Sequence, residues 1–219
     1  MATSEAASTE ATAGAMTLAG RNLSPYARRV AIWCALQGRP LERAAVAAMD
    51  PADAATLRSF HPGMRVPALR LADGTTLIDT FAICDWLDET ADGARLVPEH
   101  GAVRRDCLQR IALAHATTEK IVALVYERNR RPEALHWADW QERIVMQIRG
   151  GFEAMEAAAK DGFHGGGNPD GSDIAIVCAY QMAGVTNPFL IEDRYPKLAA
   201  LAERAMALPE FADTYPTFS

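Results

Sequence analysis

Met16-Thr17-Leu18-Ala19-Gly20-Arg21-Asn22-Leu23-Ser24-Pro25-Tyr26-Ala27-Arg28-Arg29-Val30 passes from a short apolar run through a polar loop into a helix start. The signal is Ser24-Pro25. A hydroxyl at the cap accepts an N–H that the first turn leaves free, and proline has no N–H to lose there. Ala27, Val30 and Cys34 share one helical face, Gly38 offers a left-handed stop, and after Pro40 the run Leu41 to Val46 reads as a second strand. Strand, helix and strand make a β-α-β unit with parallel strands. Farther on, Val66 to Leu71 and Thr75 to Ile78 flank Ala72-Asp73-Gly74, whose Asp-Gly pair marks a tight hairpin. An antiparallel pair therefore joins the parallel one. Residues 51–63 between them read as irregular. Thr80 is expected to cap a further helix through Trp86 and Leu87, ending near the charged stretch Asp88 to Gly93.

Beyond about Val103 the strand signals stop, and helical patterns run at roughly 103–130, 138–160, 172–184 and 195–207. The fold class is thus α/β followed by all-α. The expected organisation is a tail at 1–15, an α/β domain at 16–90, a linker at 91–102 carrying Gly93, Pro98 and Gly101, and a helical domain at 103–219. The first fifteen residues are Ala-, Ser- and Thr-rich and lack the basic start and apolar stretch of a secretion signal, so they read as a mobile tail.

Composition narrows the function classes. Hydrophobic residues make up 49% of the 219 and charged ones 23%, which is ordinary for a globular chain. Twenty-two basic against 28 acidic residues leave a net charge of -6, the wrong sign for a general binder of phosphate backbones. The uncharged stretch Ile174 to Ile191 is broken by Gln181, Thr186, Asn187 and Pro188, so no membrane span is expected. Cys34, Cys84, Cys107 and Cys178 are far apart and show no paired spacing, which fits a reducing cytosol better than a disulfide framework. The five histidines show no ligand spacing, and no metal site is expected. Gly165-Gly166-Gly167 lacks the Lys and Ser/Thr of a phosphate loop and reads as a connection.

Two helix starts differ from the usual pattern. Asp170-Gly171-Ser172-Asp173 begins its helix with a carboxylate capping pair. The helices at Ser24 and Thr80 have no acid in the first turn, so their positive ends stand ready for an outside anion. The plain alternative is that Ser24 and Thr80 only cap their helices. Between them, Val66-Pro67 places a proline at the entry to a strand, either as a cis bond that turns backbone groups outward or as a trans edge proline.

In order and spacing these segments resemble the glutathione S-transferase family, and most closely its bacterial members with a serine in the first-helix motif. Ser24 to Val30 resembles the first-helix signature, Gly63 to Leu69 the cis-proline segment, and Asp73-Gly74 through Asp79-Thr80 the hairpin and second ligand segment. Asp170 to Ala175 resembles the buried capping motif, and Tyr195-Pro196-Lys197-Leu198 a late helix start. The resemblance covers nearly the whole chain after the tail. It implies a thioredoxin-like amino-terminal domain that holds glutathione, with a helical domain shaping an apolar site for a small hydrophobic electrophile. It also implies a symmetric homodimer, and a detoxifying role in the cytoplasm is the matching expectation.

On that resemblance each residue has an expected role. The Thr80 helix start takes the glutamyl carboxylate of glutathione and Asp79 its ammonium; Val66, beside Pro67, pairs with the cysteinyl backbone; Arg65 reaches the glycyl carboxylate. Ser24 donates to the sulfur and stabilises the thiolate, with Asn22 as a second donor and Tyr26 as a rival. The family's thiol-exchange members have cysteine where this chain has Ser24, and its commoner second ligand segment has Glu-Ser where this chain has Asp79-Thr80. Two further readings are a glutathione-dependent isomerase or dehalogenase, which returns glutathione, and a binding module without catalysis. Cys34 is expected to pack, and Tyr126, Trp137 and Trp140 either pack or line the electrophile pocket; His115 and Thr118 lie in the first helix of the second half, where the family contributes pocket walls, and neither they nor His61 carries an assigned role.

Overall fold

A computed structural model describes residues 15–93 and 95–218; most of the tail expected at 1–15 lies outside them. The chain forms β1 (Met16–Ala19), α1 (Pro25–Leu36), β2 (Leu41–Ala44), α2 (Ala54–Phe60), β3 (Ala68–Arg70), β4 (Thr76–Ile78), α3 (Thr80–Glu89), α4 (Gly101–Asn129), α5 (Ala138–Ala158), α6 (Gly171–Thr186), α7 (Pro196–Met206) and α8 (Pro209–Ala212). The sheet order is β2-β1-β3-β4, with β1 parallel to β2 and antiparallel to β3, and β3 antiparallel to β4. This is a thioredoxin-like layer followed by helices, the α/β plus all-α class read from the sequence.

Local chemistry explains where the elements stop. β2 ends at Ala44, short of the expected Val46, because the Val46 N–H turns back onto the Ala44 carbonyl at 2.8 Å while that same carbonyl accepts from Gly20 at 2.9 Å. Gly20 has φ +136°, and a Cβ there would stand 2.6 Å from the Ala27 Cβ, so only glycine lets the chain leave β1 this close to α1. Gly38 stops α1 with φ +65°. One expectation fails outright: residues 51–63 are not irregular. Asp50 caps a 3₁₀ turn at Pro51–Asp53, and α2 follows. With seven residues α2 is too short to show a helical period, and its only buried side chains are Leu57 and Phe60, one turn apart.

The two layers share one core. Leu18 and Leu69 of the sheet, Val30, Ile32 and Trp33 of α1, and Ile83 and Leu87 of α3 are continuous with Ile111 and Ile121 of α4, Phe152 of α5, Ile174 and Val177 of α6 and Phe211 of α8. α6 is its axis: it packs against α1, α4 and α7, and its residues from Gly171 to Ala179 are all buried. The approach is closest at Gly171, where a Cβ would stand 2.4 Å from the Trp33 ring. Arg28 adds a polar tie across the same boundary, donating from Nε to Thr214 Oγ1 at 3.3 Å and from Nη2 to the Phe211 carbonyl at 3.2 Å. Among the described residues no helix is long and apolar enough to cross a membrane.

Candidate active site

A cleft of about 210 Å³ opens where α1, the turn before β3, the start of α3 and the middle of α4 meet. Tyr26, His61, Arg65, Val66, Pro67, Asp79, Thr80, His115 and Glu119 line it. All five residues expected to hold a ligand, Arg65, Val66, Pro67, Asp79 and Thr80, therefore converge. The Val66-Pro67 peptide is cis, and among the described residues no hydrogen bond engages the Val66 backbone. An extended peptide could pair there as an added strand.

Ser24 and Asn22 do not line this cleft. Ser24 is half-buried at the α1 cap, two residues before Tyr26, and its Oγ accepts from the Ala27 N–H at a long 3.3 Å. That bond uses a lone pair and leaves the hydroxyl proton free to donate. Pro25 has no N–H, and the first turn of α1 holds no acid. Asn22 is already engaged: its Oδ1 accepts from Arg43 Nη2 at 2.9 Å, and the same nitrogen donates to the Gly20 carbonyl. Asn22 thus holds the loop, with only its amide nitrogen left to donate.

The second helix start differs from the expectation. α3 is capped by Asp79, not by Thr80, which is its first helical residue. Asp79 has φ +55°, a conformation sparse for a residue with a side chain, and its Oδ1 accepts from the Phe81 N–H at 3.1 Å. The helix end is therefore not bare of acid. Even so, the N–H groups of Thr80 and Ala82 take no partner among the described residues. An incoming carboxylate can use these, while the exposed Asp79 carboxylate keeps lone pairs for an ammonium.

Four further side chains complete the walls, Tyr26 and three with no assigned role, His61, His115 and Glu119. The Tyr26 hydroxyl donates a short hydrogen bond to Glu119 Oε1. Burial first, then this bond, raise the phenol far above its ordinary range, so Tyr26 stays protonated with its proton directed at Glu119. His115 stands edge-on to Tyr26 and to Phe81, with ring centroids 5.6 and 4.8 Å away. Burial, then the Arg29 charge, lower its pKa, and Glu119 and Asp79 oppose the shift. His115 is therefore mainly neutral at pH 7. The signal for it was available: Glu119 lies four residues later on the same α4 face, but one helix pattern cannot say which face meets another domain. His61 accepts from the Gly63 N–H at 2.9 Å, shaping the turn that carries Arg65.

The aromatic expectation is also corrected. Trp137, Trp140 and Tyr126 are exposed rather than buried, and none lines the cleft; Trp137 lies outside α5 as its cap, where a helical pattern says nothing of burial. Cys34 is fully buried, and burial pushes its thiol up to about 12. It is an inert core residue.

Two family models match the chain: the glutathione S-transferase N-terminal domain over residues 23–90 and the glutathione S-transferase C-terminal domain over residues 138–204. Solved structures agree. A glutathione S-transferase from Methylobacterium radiotolerans in complex with glutathione sulfonate is 27% identical, with TM-score 0.87 over 94% of this chain and 97% of that one. One from Methylobacillus flagellatus with glutathione bound is 27% identical, TM-score 0.84, over 93% and 100%. A family member from Pseudomonas fluorescens, also with glutathione bound, is 27% identical, TM-score 0.81, over 93% and 100%. No curated protein matches the chain in sequence.

Proposed function

Because the chain belongs to the glutathione S-transferase family, we propose that it is a glutathione transferase that binds glutathione in this cleft, ionises its thiol and joins the sulfur to a small hydrophobic electrophile. The observation that carries the reading is the convergence of Val66, Asp79 and Thr80, each with an unused group of the right polarity, on one cleft. The glutamyl carboxylate of glutathione takes the free N–H groups at the α3 start, its ammonium takes Asp79, and its cysteinyl backbone pairs with Val66. Arg65, exposed at the rim, takes the glycyl carboxylate.

These contacts extend the cysteine toward the start of α1. A free thiol has a pKa of ~8.5, so near neutral pH the nucleophilic thiolate is a minor species. At α1 the positive helix end, uncompensated by any acid in its first turn, and the free proton of the Ser24 hydroxyl both favour the anion. A lowering of about two pH units, worth ~2.7 kcal/mol, makes the thiolate predominant. Tyr26 is a poor rival, since its proton is committed to Glu119. Asn22 is a secondary donor at most, its amide oxygen being held by Arg43. The thiolate attacks the electrophile directly, held in place by the walls of α4, with no covalent enzyme intermediate.

The protein acts in the reducing cytosol, in keeping with four free, buried cysteines, as a homodimer in a detoxifying role. Calorimetric titration with glutathione should give saturable binding. Product analysis against a panel of electrophiles should show glutathione consumed as conjugate. Free glutathione regenerated at each turnover would instead make the protein an isomerase, and binding without turnover would make it a binding module.

A further inference from the structure

Arg29 is 1% exposed, and its Nε and Nη1 have no hydrogen-bond partner. Arginine is protonated at any pH a protein tolerates, so α1 holds a cation buried without a counter-ion. Such a charge costs several kcal/mol unless an anion joins it. The neighbouring acids do not serve. Asp88 is saturated: Oδ1 accepts from Trp33 Nε1 at 2.9 Å, Gln37 Nε2 at 2.9 Å and the Leu96 N–H at 3.1 Å, and Oδ2 from the Val97 N–H at 2.7 Å. Asp85 is exposed and pairs with Arg104 at 3.7 Å.

Arg29 forms part of the wall of a second cavity, of about 300 Å³, between α1, α3 and the first turns of α4. That volume is at the lower end of the range for ligand pockets, roughly 300–1,000 Å³. Its other walls are mainly apolar, with Trp33, Phe81, Val97, Leu108 and Ile111 among them, and Thr80 adds one hydroxyl with no hydrogen-bond partner among the described residues. Arg104 pairs with Asp85 and Asp88 is committed to neutral donors, so an anion in this cavity is held by direct contact with the Arg29 guanidinium alone, and one negative charge is the most that this contact offsets.

We propose that this cavity binds one small apolar monocarboxylate, with its carboxylate on the Arg29 guanidinium and its body against Trp33 and Ile111. The planar fork of arginine matches a carboxylate in a two-point contact. A phosphate or dianion would bring more charge than Arg29 offsets and would find only Thr80 as a further hydroxyl. The site is distinct from the proposed glutathione cleft, and the two share Thr80 as a common wall. The assignment rests on Arg29 and the cavity, and it stands whether or not the cleft carries out conjugation.

The test is calorimetric titration of the full chain with 3-phenylpropionate and with its neutral amide, with and without saturating glutathione, on wild type, Arg29→Met and Arg29→Lys. The expected result is saturable binding of the acid about tenfold or more tighter than of the amide. That preference should persist with glutathione bound, weaken in Arg29→Lys and vanish in Arg29→Met. Arg29→Met should melt no lower than wild type, because it removes an uncompensated buried charge. Equal binding of acid and amide, displacement of the acid by glutathione, or an acid preference kept by Arg29→Met would overturn the assignment. So would an Arg29→Met chain that melts below wild type or does not fold, since Arg29 would then have a partner within the protein.

Discussion

The start of α6 and the starts of α1 and α3 are the same chemical object finished in different ways. At α6 every backbone N–H of the first turn has a partner. Asp170 accepts from the Ser172 and Asp173 N–H groups, and Asp173, fully buried, accepts from the Asp170 N–H at 2.9 Å, from the His164 N–H at 2.9 Å and from His164 Nδ1 at 2.7 Å. Arg110 closes the network through Ser172 and Asp170. At α1 the cap is one long bond from Ala27 to Ser24, and at α3 one bond from Phe81 to Asp79, with N–H groups left over beside the cleft. The sealed end serves stability, because an unpaired group in the core is costly. The open ends serve binding, because a ligand can complete them.

That contrast can be broken by mutation. The largest effect is expected at Asp173→Ala, which strands several buried donors at once and should cost about 3–5 kcal/mol in denaturant unfolding, with glutathione affinity per folded molecule unchanged. A loss under 1 kcal/mol would mean that the α6 end is not a structural keystone. Next is Ser24→Ala. It should lower kcat/KM for conjugation by roughly 10- to 100-fold through the thiolate, while losing only about 1 kcal/mol of stability as a cap. Stability and activity falling in the reverse proportion would erase the distinction. Asp79→Asn keeps the cap geometry and removes the charge offered to the ammonium; a rise in KM for glutathione of about tenfold is expected, with kcat little changed.

The smallest effect sharpens the account of the cleft. His115 has a pKa lowered by burial, so the unfolded chain binds its proton more readily than the folded one. Its contribution to stability is complete above ~6.5, the unfolded value, and is lost as pH falls through the lower folded value. Melting curves should therefore show a modest drop as pH falls below about 6.5 that is reduced in His115→Gln. An identical drop in that variant would place the titration elsewhere.

Legibility followed the range of the interactions. Ser24-Pro25, Asp73-Gly74 and the Asp170-Asp173 pair are local devices whose chemistry is complete within a few residues, and the elements they start or join appear in the structure. α2 escaped because one turn of burial at Leu57 and Phe60 looks like no period at all. The cap of α3 was misplaced by one residue because a positive φ at Asp79 is a backbone choice that composition does not announce. The helix of His115 was legible as a wall, but the contacts of His115, Glu119 and Arg29 were beyond reach for a different reason. Each sits in an unexceptional helix pattern and acquires its role only where α4 meets α1 and α3, a juxtaposition set by the shared core. The exposed Trp137 shows the converse error, since an aromatic residue is a sign of packing only when something is there to pack against.

The central claim is that the open α1 end with Ser24 ionises a thiol delivered by the cleft, and ultraviolet titration of the thiolate of glutathione bound to the protein measures this directly. The bound thiol should titrate with an apparent pKa near 6.5, against ~8.5 for the free thiol, and return toward the free value in Ser24→Ala. A bound thiol that titrates as it does in water, or one equally acidic without the Ser24 hydroxyl, would contradict it.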